Sequence, residues 1–419
     1  MILALVGQSM NDALGAATRA HQPMFERLGY EFREVNFSKP DASEVLNNSV
    51  AEGDIEFVFS AMGMGGDFRT KNQDDQDLNL WEAIHVPFIS LLGDIPGYFF
   101  DRHVAATSWH APLYFFPDHL LIRKRLPFPA SICGVIPPIP FDATRSETID
   151  FKKKESGRLL FLKNGNDPEQ LVRVWREGLP APTFLLLAEL ASTLASSLNS
   201  DAATDIDAAV TSAFASRGWD IEGSLQLRLL FMAQLDDYLR RVKSTMLGRV
   251  LAEFPVAIQG FNWEHVDFSG KRARHLPGGD YVASGDQIRQ SLGVIDMSPN
   301  TRLAPHDRPM RAMGLHTLCL TNRQTFFEEN FADWREFSFR FDEESIRDRV
   351  SSVIAKPKQF IELGRAVAEE FAKRHSPEDF GQFLIDTASH VRASNLNRPA
   401  GFQPYFVWPP AVLQGKHRE

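Results

Sequence analysis

A chain of 419 residues exceeds one ordinary compact domain, and a norm of about 150 residues per domain suggests two or three. Its 43% hydrophobic and 24% charged residues exclude a largely disordered polymer. Forty-five basic against 54 acidic residues give a net charge of −9, which argues against a broad nucleic-acid surface but leaves room for a local basic pocket. Thirty-three Phe against six Tyr favour large apolar cores.

Residues 2–6 read as a short apolar strand. The polar turn Gly7-Gln-Ser-Met-Asn-Asp12 follows and opens a helix expected to run to Leu28. The opening run has no basic flank or long apolar core and does not read as a secretory signal. Further strands are predicted at 30–35, 55–60, 86–92, 113–116 and 130–136, with a helical stretch around Trp81. Short apolar strands separated by helices indicate a parallel sheet covered on both faces. The segment 145–157 is polar and reads as a surface linker or edge strand, with Lys152-Lys-Lys154 as a solvated charge run.

A second series begins with a strand at 158–162. Residues 168–250 look mainly helical, including a long amphipathic segment at 225–252. Strands follow at 254–259, 293–297 and 318–321, with a helix at 357–374. The expected architecture is α/β, with two Rossmann-like domains facing a central cleft. The N-terminal domain is placed at 1–150, the C-terminal domain with a helical insertion at 156–375, and a final segment at 376–419 packing back toward the N-terminal domain. No stretch approaches the roughly 20 apolar residues of a membrane span. Cys133 and Cys319 lie in apolar runs without metal spacing and read as buried thiols in a reducing compartment. The expected location is cytoplasmic, with peripheral association with the inner face of a membrane left open.

The most informative stretch is Gly293-Val-Ile-Asp-Met-Ser-Pro-Asn300, then His306-Asp-Arg308 and Leu318-Cys-Leu-Thr-Asn322. A strand ends in a Ser-Pro-Asn loop, a helix opens near His306, and a second buried strand follows. The first turn of such a helix offers free amides and a positive dipole end, so an anion fits there and Arg308 can add a bidentate contact. Asp307 in the same turn can accept from ribose hydroxyls. The spacing alone equally allows a helix capped by Asp307 with Arg308 as a surface charge. Lys163-Asn164-Gly-Asn166 follows an apolar strand, where a turn can cradle phosphate or simply reverse the chain. Trp263 reads as packing rather than base stacking.

The run His306-Asp307-Arg308, Ala312-Met313 and Leu320-Thr-Asn322 resembles the donor-binding segment of group 1 (GT-B) glycosyltransferases, especially the branch related to the spore maturation protein CgeB. Asp307 stands where that pattern has Glu, and His316 where Gly is usual. Gly93-Asp94-Ile-Pro96, Arg158 to Asn166, the helix with Asp237, Arg240, Arg241 and Arg249, and Gly260-Phe-Asn-Trp263 follow in the same order as in that family. The resemblance implies a sugar transferase with Lys163, Asn164, His265, Ser298, Asn300, His306, Asp307, Arg308, Thr321 and Asn322 on the donor. Asp94 and Asp237 are the candidates for catalysis.

It further implies a nucleotide-sugar as substrate, no cofactor and no metal in the catalytic role. The acceptor would be a glycan or glycoconjugate, such as a surface polysaccharide, with no nucleic-acid partner. Asp74-Asp75-Gln-Asp77 reads as solvated loop, and the histidines show no zinc-type spacing. Gly63-Met-Gly65-Gly66 lacks the full dinucleotide fingerprint. Alternatives are a non-catalytic binding or assembly protein of the same fold and a nucleotide-sugar epimerase.

Overall fold

The computed structural model describes residues 1–9, 13–71, 74–105, 107–128, 132–140, 148–199, 204–220 and 223–396, with the backbone of 406–408. Contacts divide the chain into one unit of Met1–Ile139 with His375–Glu419 and a second of Pro140–Arg374. Each is an α/β unit built on its own parallel sheet.

The first unit opens with β1 (Ile2–Val6), α1 (Ala13–Arg19) and α2 (Gln22–Arg27). The single helix expected up to Leu28 is thus two. Pro23 sits in the first turn of α2, where its missing N–H is no loss, and it starts a helix rather than continuing one. Met10–Asp12 of the expected turn lie outside the described residues. Then come β2 (Phe32–Asn36), α3 (Ala42–Glu52), β3 (Phe57–Ala61), an antiparallel hairpin of β4 (Arg69–Lys71) and β5 (Asp77–Asn79), and α4 (Leu80–Ala83). They are followed by β6 (Phe88–Leu92), α5 (Phe100–His103), β7 (His110–Tyr114), α6 (Pro117–Lys124) and β8 (Ile132–Val135). β1, β6 and β7 are buried at every position, as strands covered on both faces must be. Trp81 fills the core beside them, stacked on Phe88 at 5.4 Å and donating its indole N–H to the Gly65 carbonyl at 2.6 Å. The Asp-x-Asp segment is part of the hairpin, with an exposed Asp75 paired to Lys71 at 2.6 Å.

The second unit begins with α7 (Phe151–Glu155) and β9 (Leu159–Leu162), followed by the helices α8 (Pro168–Gly178), α9 (Ala181–Ser196), α10 (Ile206–Ser216) and α11 (Leu225–Ala252). β10 (Ala257–Gln259), β11 (Arg274–Leu276), α12 (Tyr281–Gln290), β12 (Gly293–Ile295), α13 (Asp307–Gly314) and β13 (Cys319–Asn322) come next. α14 (Thr325–Asn330), α15 (Trp334–Phe337), β14 (Ser338–Phe339), α16 (Glu343–Ala355) and α17 (Pro357–Arg374) complete it. The strands lie in the order β11-β10-β9-β12-β13-β14.

Two expectations fail at the start of this unit. Residues 151–155 form a helix rather than a linker or edge strand, and residues 141–147 lie outside the described set. Lys154 is not solvated: it is 1% exposed and donates to Thr317 Oγ1 and the His316 carbonyl. The helical turn rotates one lysine of the triplet inward while Lys152 and Lys153 stay exposed.

The chain then returns to the first unit through α18 (Pro377–Leu396), which packs on α2, β6 and β7, and β15 (Phe406–Trp408). Arg392 of α18 donates to both the side chain and the carbonyl of Glu56 at 2.7 Å. The completed sheet runs β15-β8-β7-β6-β3-β1-β2. Both cysteines are buried, and neither forms a disulfide. Among the described residues, no helix is long and apolar enough to cross a membrane.

Candidate functional site

In the second unit, chain order and strand order part company between β9 and β12. The chain lays β10 and β11 on one side of β9, then crosses to place β12, β13 and β14 on the other. Loops leaving β9 and β12 therefore diverge at the carboxyl ends of these neighbouring strands. Open parallel sheets place their ligands at this reversal.

The loop after β9 is set by Trp263. This buried indole donates to the Lys163 carbonyl at 2.8 Å, and a Cβ at Gly165 would fall 2.1 Å from its ring. A Cβ at Gly248 of α11 would fall 2.3 Å from the same ring. Only glycine fits at either contact. Asn164 is used inside the protein, its Oδ1 accepting from the Phe261 amide at 2.9 Å, while Asn262 reaches Asn166 at 2.7 Å. Lys163 remains as the functional group of this loop. Burial lowers its pKa to about 8, with repulsion from Arg308 and Arg240 adding to the effect.

β12 leads directly into Asp296, which is fully buried. Its Oδ1 accepts from Arg308 Nη1 at 2.9 Å and lies 3.4 Å from His306 Nδ1. Its Oδ2 is buried with no hydrogen-bond partner among the described residues. Arg308 is therefore not a free surface cation; it is anchored by an acid from the preceding strand end. His306 also meets Asp307 at 2.7 Å, and Asp307 is largely exposed at the first residue of α13. Desolvation pulls the His306 pKa down, but Asp307 and Asp296 outweigh it and raise the value above normal.

Helix α11 supplies the floor. Asp236, Arg240 and Lys243 recur at four- and three-residue spacing and so share one face. Asp236 is fully buried, pairs with Arg240 at 2.8 Å and accepts from Asn300 Nδ2 at 2.9 Å. Asn300 adopts a left-handed φ of 49°, a conformation Asn tolerates better than most residues, which turns its amide onto the helix. Mid-helix acids are expected to be surface charges, and for Asp236 that expectation is wrong. Asp237 does behave that way: it makes a bidentate pair with Arg241, whose Nη1 holds the Asp167 carbonyl at 3.1 Å.

The remaining sequence candidates divide in the same manner. Asn322 clamps the loop after β12, accepting from the Ser298 amide at 2.7 Å and donating to Ser298 Oγ at 2.9 Å. Ser298 and Thr321 are buried beneath it. His265 stacks on Trp263 and meets Thr245 Oγ1 at 2.9 Å, and burial lowers its pKa. Asp94 lies in the first unit, two residues past the end of β6. Lys163, Asp236, Arg240, Asp296, His306, Asp307 and Arg308 thus form one charged group around the reversal point. Sequence reasoning missed Asp296; it weighed Asp236 as a cleft carboxylate but read it, with Asp237, as a mid-helix surface charge. The signals were an acid immediately after a buried strand and a polar stripe on an apolar helix.

Residues 239–386 match the model of a glycosyl transferase-like family. That span covers less than half of the chain, from within α11 into α18. Among solved structures the chain is similar to Alr3699/HepE of Anabaena, crystallised with UDP, at 10% identity over 93% of this chain and 100% of that one, with a TM-score of 0.46. It is also similar to WaaG, described as a glycosyltransferase involved in lipopolysaccharide biosynthesis, at 10% identity, 93% and 100% coverage and a TM-score of 0.46. An alpha-glucosyltransferase in complex with UDP and a 13-mer DNA gives 7% identity, 93% and 100% coverage and a TM-score of 0.47. No curated protein matches the chain.

Proposed function

We propose that this chain transfers a sugar from a nucleotide-activated donor to a glycan or glycoconjugate acceptor. The observation that carries the reading is the charged group at the strand reversal of the second unit, most of which falls inside the segment matched by the glycosyl transferase-like model. In this reading the donor diphosphate lies over the first turn of α13 and meets Lys163 and Arg308. Asp307, exposed at the helix start, accepts from the ribose hydroxyls. Departure of the nucleoside diphosphate concentrates negative charge on its oxygens. Fixed cations and free helix amides stabilise that charge without reorganising. Here they are proposed to do so in place of a divalent metal. Asp296 keeps Arg308 in position rather than touching substrate.

The first unit is proposed to hold the acceptor, with Asp94 as the acid–base group that takes the proton of the attacking hydroxyl. Asp237 has no part in this scheme because Arg241 occupies both its oxygens. A surface polysaccharide is the proposed acceptor class.

The direct test is nucleotide binding. UDP, GDP, CMP, dTDP and ADP are titrated against the chain, with NAD as control and with and without magnesium. One nucleotide should stabilise the protein equally in both conditions. Arg308→Ala should weaken that binding by about 1–3 kcal/mol, the value of a charge-assisted hydrogen bond. Unchanged affinity would remove Arg308 from the site. Asp94→Asn should lower turnover and leave nucleotide affinity intact; a matched loss of binding would place Asp94 elsewhere.

A further inference from the structure

A polar cavity lies in the same unit, over the carboxyl ends of β12, β13 and β14. Its volume is about 60 Å³, and its walls include Lys243, Arg302, Asn322, Arg323, Arg340 and Phe341. By the same measure one water needs about 10–15 Å³, so there is room for one carboxylate or phosphate and part of the ring carrying it.

The walls are chemically one-sided. Four of the lining residues are cations, and no acid lines the cavity among the described residues. Two flanking acids meet three of these cations: Glu328 lies 3.7 Å from both Arg302 and Arg323, and Asp342 lies 3.2 Å from Arg340.

Lys243 is the decisive group. It is only 5% exposed, yet it forms no ion pair among the described residues. Its ammonium lies 3.5 Å from the Ser298 carbonyl and 5.1 Å from the centre of the Phe341 ring. Asp236 and Asp296 act on it electrostatically, but they are already paired with Arg240 and Arg308. A buried ammonium whose neighbouring carboxylates are each shared with an arginine is costly, and burial accordingly lowers its pKa to about 8. An anion entering the cavity would supply a partner of its own.

We infer that the sugar carried by the donor is itself anionic and that this cavity holds its carboxylate or phosphate group. The inference rests on the transferase reading for the word donor, but the pocket stands on its own geometry. The loop after β12 connects the two places, since Asn300 and Ser298 border the cavity while Asp296 belongs to the reversal-point group. The diphosphate and the sugar's charge would thus be recognised by separate sets of cations.

The experiment uses free monosaccharides, so that it does not depend on the nucleotide. Glucuronate, galacturonate, glucose 6-phosphate and glucose are titrated against the full chain by saturation-transfer NMR, alongside UDP. At least one anionic sugar should bind ten or more times tighter than glucose, and comparing the acids with the phosphate identifies the group. Arg340→Gln, on the exposed rim, should weaken that binding at least fivefold, and Lys243→Met should abolish it. UDP affinity should stay within twofold of the parent in Arg340→Gln. Equal binding of glucose and the anionic sugars overturns the inference, as does unchanged binding in Arg340→Gln. A parallel loss of UDP affinity in Arg340→Gln also overturns it, because the cavity would then hold the diphosphate. Anionic sugars that bind a chain blind to every nucleotide would uphold the pocket and sink the transferase reading.

Discussion

Asp296→Asn tests whether the reversal-point group is held together by charge. Asp296 is fully buried, and its Oδ1 accepts from Arg308 at 2.9 Å. Asparagine keeps the size and one carbonyl oxygen but removes the negative charge, leaving the exposed Asp307 as the acid that still acts on Arg308 beside His306 and Lys163. Removing one partner of a buried ion pair costs about 3–5 kcal/mol. Arg308 keeps 22% of its side chain exposed, so solvent recovers part of the loss and about 3 kcal/mol is expected. For a domain of this size each kcal/mol is worth about 2–4 °C, which gives a fall in Tm of about 6–12 °C. Thermal and urea unfolding would measure it on the transition of the second unit. An NMR titration of the His306 ring gives an independent readout, because its pKa should fall once one of the two carboxylates raising it is gone. A stability loss below about 1 kcal/mol with an unchanged His306 titration would refute the argument.

Three further outcomes are expected. His306 has a folded pKa above 6.5, so its stabilisation is complete below the unfolded value and is lost as pH rises through the folded one. Asp307→Asn should therefore flatten the fall of Tm on the alkaline side of 6.5; an identical profile would mean Asp307 does not govern the titration. For Lys154 burial lowers the pKa from 10.5 to about 7, with Arg289 adding repulsion, so the unfolded chain binds more protons between those values and stability rises with pH there. Lys154→Met should abolish that rise and leave Tm near pH 7 equal or higher, and a clear drop there would show that the Thr317 contact outweighs desolvation. In Gly165→Ala the new methyl would lie 2.1 Å from the Trp263 ring, so a loss of about 1–3 kcal/mol and weaker nucleotide binding are expected. A variant as stable as the parent would show that the indole can yield.

Much of the fold was legible because buried parallel strands are short runs of apolar residues. Strands predicted at 2–6, 55–60, 86–92, 158–162 and 318–321 all find counterparts within two residues at their ends, and the helix at 357–374 matches α17. The edge strands β11 and β14 escaped notice: one is Arg-His-Leu, half in solvent, and the other has two residues, so neither carries an apolar run. The site was only partly legible. His306-Asp307-Arg308 could be placed at a helix start from local sequence. Their anchoring by Asp296 depends on a side chain ten or more positions upstream, and Asp236 is a buried partner of both Arg240 and Asn300, the latter turning back onto α11. Local patterns reveal elements, whereas side-chain pairing across elements follows from packing.

Trp263 joins segments that are far apart in the chain, its indole bonded to a carbonyl one hundred residues earlier and seated against glycines at 165 and 248. The loop after β9 therefore cannot take its shape when its own strand forms. It must wait until α11 and the segment beyond β10 have docked, which makes it a late, non-local event with a substantial closure entropy. Ligand affinity and cooperative folding of the unit consequently arrive together. A truncated chain that ends before Trp263 would retain the Lys-Asn-Gly-Asn sequence but lose the shape that gives it use.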